Sequence, residues 1–398
     1  MSARAAGPAP GIIGPRLKAF LLIAPLLAFL GVFFFWPLYT VISQAVSDPA
    51  VSRVLPETAA AIGGWDGEGL PDDDIQAAFR ADIAANTDDM AMGDLIRRLN
   101  SAKSGFRSLM GKTVPAVREN PQVMLAEVDR RWADPAYWLA IRDNASPYTD
   151  TYLLATLDYE RGADGSIQPM PEGSSANTTI ILRTLWVSAL VTLCCLAVGM
   201  PYAMVAASVT GWKRTVLLGA VLLPLWTSLL VRTAAWMIIL QENGVINQLL
   251  IGLGLTDTPL RLIYNRFGVV LAMTHVLLPF MVLPIYSVLL TVPRNLMPAA
   301  ASLGAPPLRA FWRVLLPLSL RGMVSGALLV FMSAIGYYIT PALIGGATDQ
   351  MISSVIAFYA TGTANWSMAA ALGLLLLALT LVLYALYNRL SREPVAAR

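Results

Sequence analysis

The residues able to do chemistry are few and lie in apolar surroundings. His275 is the only histidine, and a lone histidine among apolar neighbours is expected to be a satisfied interior polar group rather than a proton relay. Arg232 lies near the end of another apolar run. The simpler reading is that it packs and snorkels to the membrane interface; the alternative is a gating role. Tyr337, Tyr338 and Thr340 flank a break marked by Gly336 and Pro341. Aromatic faces there suit ammonium groups through cation–π attraction, so these three, with Trp226 and Arg232, are candidate lining of a translocation path. Tyr337 and Tyr338 read equally well as plain interface aromatics. Cys194 and Cys195 are adjacent and cannot face each other on a helix, so no disulfide is expected and both read as small buried hydrophobes.

Enzyme chemistry has almost nothing to work with. The sequence holds no Gly-x-x-x-x-Gly-Lys-Ser/Thr loop, no His-Glu-x-x-His and no Cys/His cluster. No catalytic residue, cofactor or metal is therefore expected in this chain.

The most informative segment runs from Pro298 to Pro317. Pro298 suits the first turn of a helix, where its missing N–H costs nothing. Ala299, Ala300 and Ala301 are strong helix formers, and Gly304 is a natural stop. Pro306 and Pro307 then open a second helix, which places Leu308, Phe311, Trp312 and Leu315 on one apolar face and sets Arg309 and Arg313 four residues apart. The spacing predicts a helix–glycine–helix knob. A chain this hydrophobic has no evident reason to keep such a knob in water unless something docks on it.

What must position these groups is a membrane bundle. The 398 residues are 56% hydrophobic and 13% charged, a bilayer composition. Six segments are long enough to span: roughly 20–42, 184–207, 215–240, 268–291, 323–345 and 366–387. The first exceeds the apolar region of a signal peptide and lacks its cleavage pattern, so it reads as a retained helix. Breakers are expected to interrupt four spans: Gly199 with Pro201, Pro224, Pro279 with Pro284, and Gly336 with Pro341. Arg4, Arg16 and Lys18, then Lys213 and Arg214, then Arg294, Arg309, Arg313 and Arg321, and finally Arg389, Arg392 and Arg398 all fall on one side, where Glu393 is the single acid. The positive-inside rule makes that side cytoplasmic, with both termini inside. The basic residues are scattered beside spans rather than gathered in one patch, which excludes a nucleic-acid partner.

Residues 47–176 differ. They hold 21 acids and 12 bases, with helix-like stretches at Asp72–Arg80, Asp94–Leu99 and Pro121–Trp132 and aromatics at Trp65, Phe79, Phe106, Trp132, Tyr137 and Trp138. A small, mainly helical extracytoplasmic subdomain is expected, either an expanded loop with no partner or a docking surface for a solute-binding protein.

The knob resembles the cytosolic signature of ABC-importer permeases: Glu-Ala-Ala, three residues, Gly, nine residues, a β-branched aliphatic, one residue, Leu-Pro. Ala299, Ala300, Gly304, Val314, Leu316 and Pro317 fall in place, while Pro298 stands at the glutamate position. Leu223–Trp236, Asn243–Asn247 and Gly336–Gly346 are similar to the spermidine/putrescine-type subfamily, although the acid that some of its members carry near Tyr337 is missing. The resemblance implies an all-α protein with six transmembrane helices, a type I ABC-importer permease-like fold, and a long insert between helices 1 and 2. The expected organisation is a cytosolic tail with helix 1 (1–46), the insert (47–176), a five-helix permease core (180–388) and a cytosolic tail (389–398), in a bacterial inner membrane. It further implies import of a small cationic, polyamine-like solute, coupled to a separate ATPase through 298–317. Ala299, Ala300, Ala301, Gly304, Ala305, Arg309, Leu316 and Pro317 would carry that coupling. The implied partners are two ATPase subunits, a second and related permease, a solute-binding protein and the lipid bilayer. The alternative is an ion-coupled secondary transporter, which would need intramembrane acids; the five core spans contain no Asp or Glu.

Overall fold

A computed structural model describes residues 15–162, 166–171, 173 and 175–391. Arg4, Arg392, Glu393 and Arg398, on which part of the orientation argument rests, lie outside the described residues. The rest forms two compact units divided between Asp150 and Thr151.

The first unit begins with an apolar helix in two parts, α1 (Pro15–Leu30) and α2 (Trp36–Val46), joined by the π-helical turn Gly31–Phe35. The N–H of Trp36 reaches back five residues to the Gly31 carbonyl. The cause is Pro37, which lacks an N–H and crowds the carbonyl one turn earlier. Seven short helices follow: α3 (Ala50–Val54), α4 (Pro56–Ile62), α5 (Asp73–Ala85), α6 (Asp89–Ala102), α7 (Phe106–Glu119), α8 (Leu125–Val128) and α9 (Pro135–Asp143). They close over one aromatic core. Phe79 packs edge-on against Trp132 and Trp138, with ring centroids 4.9 and 5.4 Å away. Both indoles are satisfied, Trp132 donating to Thr113 Oγ1 at 2.9 Å and Trp138 to the Trp132 carbonyl at 3.0 Å. Buried Asp82 of α5 accepts from the Thr58 N–H and hydroxyl at 2.8 and 2.6 Å. It thereby caps α4, whose own flanking residue, Leu55, has no capping side chain.

Pro121–Trp132 is not one helix. Asp129 is extended and ends α8, because its carboxylate turns back onto the Arg131 N–H and guanidinium at 2.9–3.1 Å. Hydrogen bonds from Arg131 and then Lys112 hold that carboxyl well below the usual range. A local side-chain bond has outcompeted helix propagation.

The second unit opens with α10 (Thr151–Thr156) and an antiparallel hairpin, β1 (Tyr159–Arg161) with β2 (Ile167–Pro169). Then come α11 (Asn177–Ser208), α12 (Trp212–Trp226), α13 (Leu229–Leu240), α14 (Val245–Gly252), α15 (Arg266–Thr291), α16 (Leu296–Ser302), α17 (Pro307–Ala310), α18 (Leu316–Ile335), α19 (Ile339–Ile344), α20 (Ile352–Ala357) and α21 (Trp366–Ser391). The core is the triangle α11, α15 and α18, filled by Val191, Cys195, Met273, Leu277, Met281, Ile285 and Val330. Gly322 and Gly326, four apart on α18, set the approach. A Cβ at Gly322 would lie 2.8 Å from the Pro284 carbonyl, and one at Gly326 would lie 2.9 Å from Met281 Sδ. This is a small-residue contact of the kind that brings membrane helices close.

Six helical stretches among the described residues are long and apolar enough to span a membrane: Phe20–Val46, Asn177–Ser208, Leu229–Gly252, Arg266–Thr291, Pro307–Ile335 and Trp366–Arg389. Two expected boundaries are corrected. The segment 215–240 is not one helix, because Thr227 and Ser228 are extended between α12 and α13. The fifth helical stretch starts well before 323, at Pro307, and stops at Ile335 rather than running to 345. Two expected interruptions do not occur either: α11 is continuous through Pro201 and α15 through Pro279 and Pro284. A proline removes one N–H, and a packed membrane helix tolerates that loss. Here the true breaks fall at Thr227–Ser228 and at Gly336–Tyr338.

Candidate functional site

Two features stand out, the knob and the paired helix breaks, and one helix joins them. In the knob, α16 starts at Leu296, so Pro298 sits in its first turn as expected. It ends in a Schellman turn. The Ala305 N–H reaches the Ala300 carbonyl at 3.0 Å, the Gly304 N–H reaches that of Ala301 at 2.9 Å, and Gly304 holds φ +81°. Nothing lies within 4 Å of the position a Gly304 Cβ would take, so glycine is favoured there by backbone conformation alone. Ala299, Ala301, Arg309 and Pro317 are exposed, while Ala300, Ala305 and Leu316 are half-buried.

The second knob helix is not separate. α17 passes through a π-helical turn, Phe311–Leu315, directly into α18, with the Leu316 N–H on the Phe311 carbonyl. Pro317 forces this offset as Pro37 does in the first unit. The expected apolar face is consequently divided. Phe311 and Leu315 pack against the α11–α15–α18 core, whereas Leu308 and Trp312 face outward.

At its other end α18 stops at Gly336, beside the second feature. There Thr340 of α19 meets Thr233 of α13, hydroxyl to hydroxyl at 3.2 Å, both buried. Arg232 donates through Nη1 to the Pro224 carbonyl, an acceptor that α12 leaves free when it ends. Thr227 Oγ1 donates to the same carbonyl at 3.1 Å. The guanidinium stands near His275 and Tyr337. His275 accepts through Nδ1 from Trp236 Nε1 at 3.2 Å, so it has the expected partner, but it is exposed rather than interior. Arg232 Nε and the Tyr337 hydroxyl are buried without partners. The break therefore gathers Arg232, Tyr337 and Thr340, but Trp226, at the end of α12, and Tyr338 point outward. Thr233 was missed, since nothing in sequence pairs it with a residue 107 positions away.

Among the described residues no cluster of His, Cys, Asp or Glu could hold a metal. The arrangement offers no nucleophile–base pair.

Residues 186–394 match the sequence profile of the binding-protein-dependent transport system inner membrane component family. The chain belongs to this family. It is the permease subunit of a binding-protein-dependent ABC importer, an inner-membrane protein with several spans. The spermidine/putrescine transport system permease protein PotB of Escherichia coli is 34% identical over 213 residues, 54% of this chain and 78% of that one. The Haemophilus influenzae PotB is 32% identical over 219 residues, with similar coverage. The inner membrane ABC transporter permease protein YdcU of Escherichia coli is 33% identical over 226 residues, covering 53% and 70%. A solved bacterial alginate ABC transporter, in complex with an alginate pentasaccharide-bound periplasmic protein, aligns at 19% identity and TM-score 0.46, over 55% of the permease and 80% of that chain. The family match begins within α11, so the first unit lies outside it.

Proposed function

We propose that the permease imports a small organic amine of the polyamine class, driven by closure of two ATPase subunits on the knob 298–317. The substrate class is supported by the PotB relatives. The coupling is supported chiefly by the continuity of Pro307–Ile335. A stretch of that length is a rod of about 43 Å, fixed to α15 by the Gly322–Gly326 contact and ending at the Gly336–Tyr338 break. A push on the knob moves the rod, and the breaks at 227–228 and 336–338 absorb the change as hinges do.

In this reading Ala299, Ala300, Ala301, Gly304, Ala305, Arg309, Leu316 and Pro317 form or support the surface that the ATPase grips. The knob and both termini are cytoplasmic, on the charge asymmetry of the loops. A second, related permease completes the pore. A loaded binding protein docks on the opposite side, where residues 47–176 supply additional surface. Tyr337, Tyr338, Thr340, Trp226 and Arg232 lie along the path, the aromatics offering faces to ammonium groups. An ion-coupled transporter is disfavoured because the core spans lack the acids such coupling uses.

The test is uptake of radiolabelled spermidine into proteoliposomes that carry the whole complex. The expected result is uptake that requires ATP on the ATPase side and the binding protein on the other. Uptake driven by a proton or sodium gradient without ATP would overturn the coupling. ATP-dependent uptake of another solute, with spermidine ignored, would overturn the substrate.

A further inference from the structure

We infer that the knob meets its ATPase through an apolar and cationic face, so that the partner's cleft is apolar and rimmed by carboxylates. This rests on the coupling role proposed above and names the chemistry of that partner. Three observations carry it. The first is charge. The loops 209–215 and 292–317 hold Lys213, Arg214, Arg294, Arg309 and Arg313 and no acid, and Pro298 stands where the signature it resembles has its glutamate. The second is exposure. Leu303 is 89% exposed, Leu308 70% and Trp312 59%. Leu303 is the last residue before the Gly304 turn, at the tip of the knob. Leu308 and Trp312, four apart, share the outward side of the second helix, while Phe311 and Leu315 take the inward side. Large apolar side chains grouped at a tip mark an interaction surface. The third is pairing. Arg309 and Arg313 are exposed beside that patch and form no ion pair among the described residues.

Two arginines that lose water on docking need carboxylates opposite them. A cleft built to receive a glutamate presents a cation, and here that cation would face only like charge. The knob therefore selects its ATPase by polarity and rejects one adapted to a glutamate-bearing permease. Anionic lipid headgroups would also attract these arginines. However, Leu303 and Leu308 stand on either side of a tight turn, between the short α16 and the start of the Pro307–Ile335 rod, whereas surface-bound helices present one long apolar face. A cleft fits this shape and a flat membrane does not.

The experiment uses the complete complex, purified from its native membrane through a tag on the permease. The readout is the ratio of ATPase subunit to permease across a KCl series. Wild-type retention is expected to fall steeply with salt. Joint Arg309→Glu and Arg313→Glu should lower retention at least about tenfold, and joint Arg309→Lys and Arg313→Lys should preserve most of it. Trp312→Ala should weaken retention with little change in its salt dependence. Pro298→Glu, which suits a first helical turn, should also lower it, by facing carboxylate with carboxylate. Stronger retention in Pro298→Glu, or unchanged retention in the double reversal, overturns the inference. So does a double reversal that loses co-purified anionic phospholipid while keeping its ATPase. Gly304→Val separates the two levels: if it releases the ATPase while the charge variants do not, coupling stands and this inference falls, whereas if it retains the ATPase at the wild-type level, the coupling role falls as well.

Discussion

Asn247 is buried in the first turn of α14, and its amide ties the segments on both sides of that helix together. It donates to the Gln241 and Leu260 carbonyls at 3.0 and 2.9 Å and accepts from the Leu260 N–H at 2.8 Å. Asn247→Ala leaves three backbone groups without partners and should cost about 3 kcal/mol, seen as a lower thermal midpoint of the purified complex. The Asn243–Asn247 motif was legible as a resemblance, but this role was not, because Leu260 is 13 residues away across a loop. Asp158 works similarly at the start of α11. Its carboxylate accepts from Ser175 Oγ at 2.5 Å and from the Asn177 and Thr178 N–H groups at 3.0 and 2.9 Å. Burial pushes its carboxyl up, but these hydrogen bonds outweigh burial and hold it below the ordinary 3.8. A group depressed in the folded state contributes fully above its ordinary value and loses that contribution as pH falls through the lower folded one. Thermal stability should therefore drop below about pH 4 in the wild type. Asp158→Asn should be less stable at neutral pH and lack that part of the acid dependence.

At the scale of elements, prolines in the spans were misread, and their surroundings explain why. Pro201, Pro279 and Pro284 lie in helices packed against one another, so the backbone stays helical. Pro37 and Pro317 shift the hydrogen-bond register of the turn before them without ending the helix. The true breaks fall where polar or flexible residues follow a helix end, Thr227–Ser228 and Gly336–Tyr338. Sequence showed both regions but not which ones would open, since that depends on partners such as Arg232 on the Pro224 carbonyl. Helix spacing in the knob was legible because capping is local. The division of its apolar face was not, because it requires knowing where the core lies. The Gly322–Gly326 contact makes α18 and α15 one body, so Gly326→Leu should force them apart at about 1–3 kcal/mol. The expected signs are weaker thermal stability and lost transport, while ATPase binding at the knob persists.

For the whole molecule, two units divide the labour. The unit from Thr151 onward carries the family match, the broken spans and the knob. The unit before it holds one apolar helix and a helical subdomain with its own aromatic core. That subdomain was legible as helical from its patterning, but its boundaries were not, since caps such as Asp82 on α4 come from distant residues. The claim joining these parts is that force enters at the knob and leaves at the breaks through Pro307–Ile335. Gly304 tests it most directly, because its φ of +81° is needed while the space around it is free. ATP-dependent uptake should be measured in proteoliposomes bearing complexes with Gly304→Val or Gly304→Asn. Asparagine tolerates this backbone conformation and a β-branched residue does not. Uptake should survive largely intact in the asparagine variant and collapse in the valine variant, with its ATPase subunits lost. A valine complex that keeps its ATPase and transports at the wild-type rate would contradict the account.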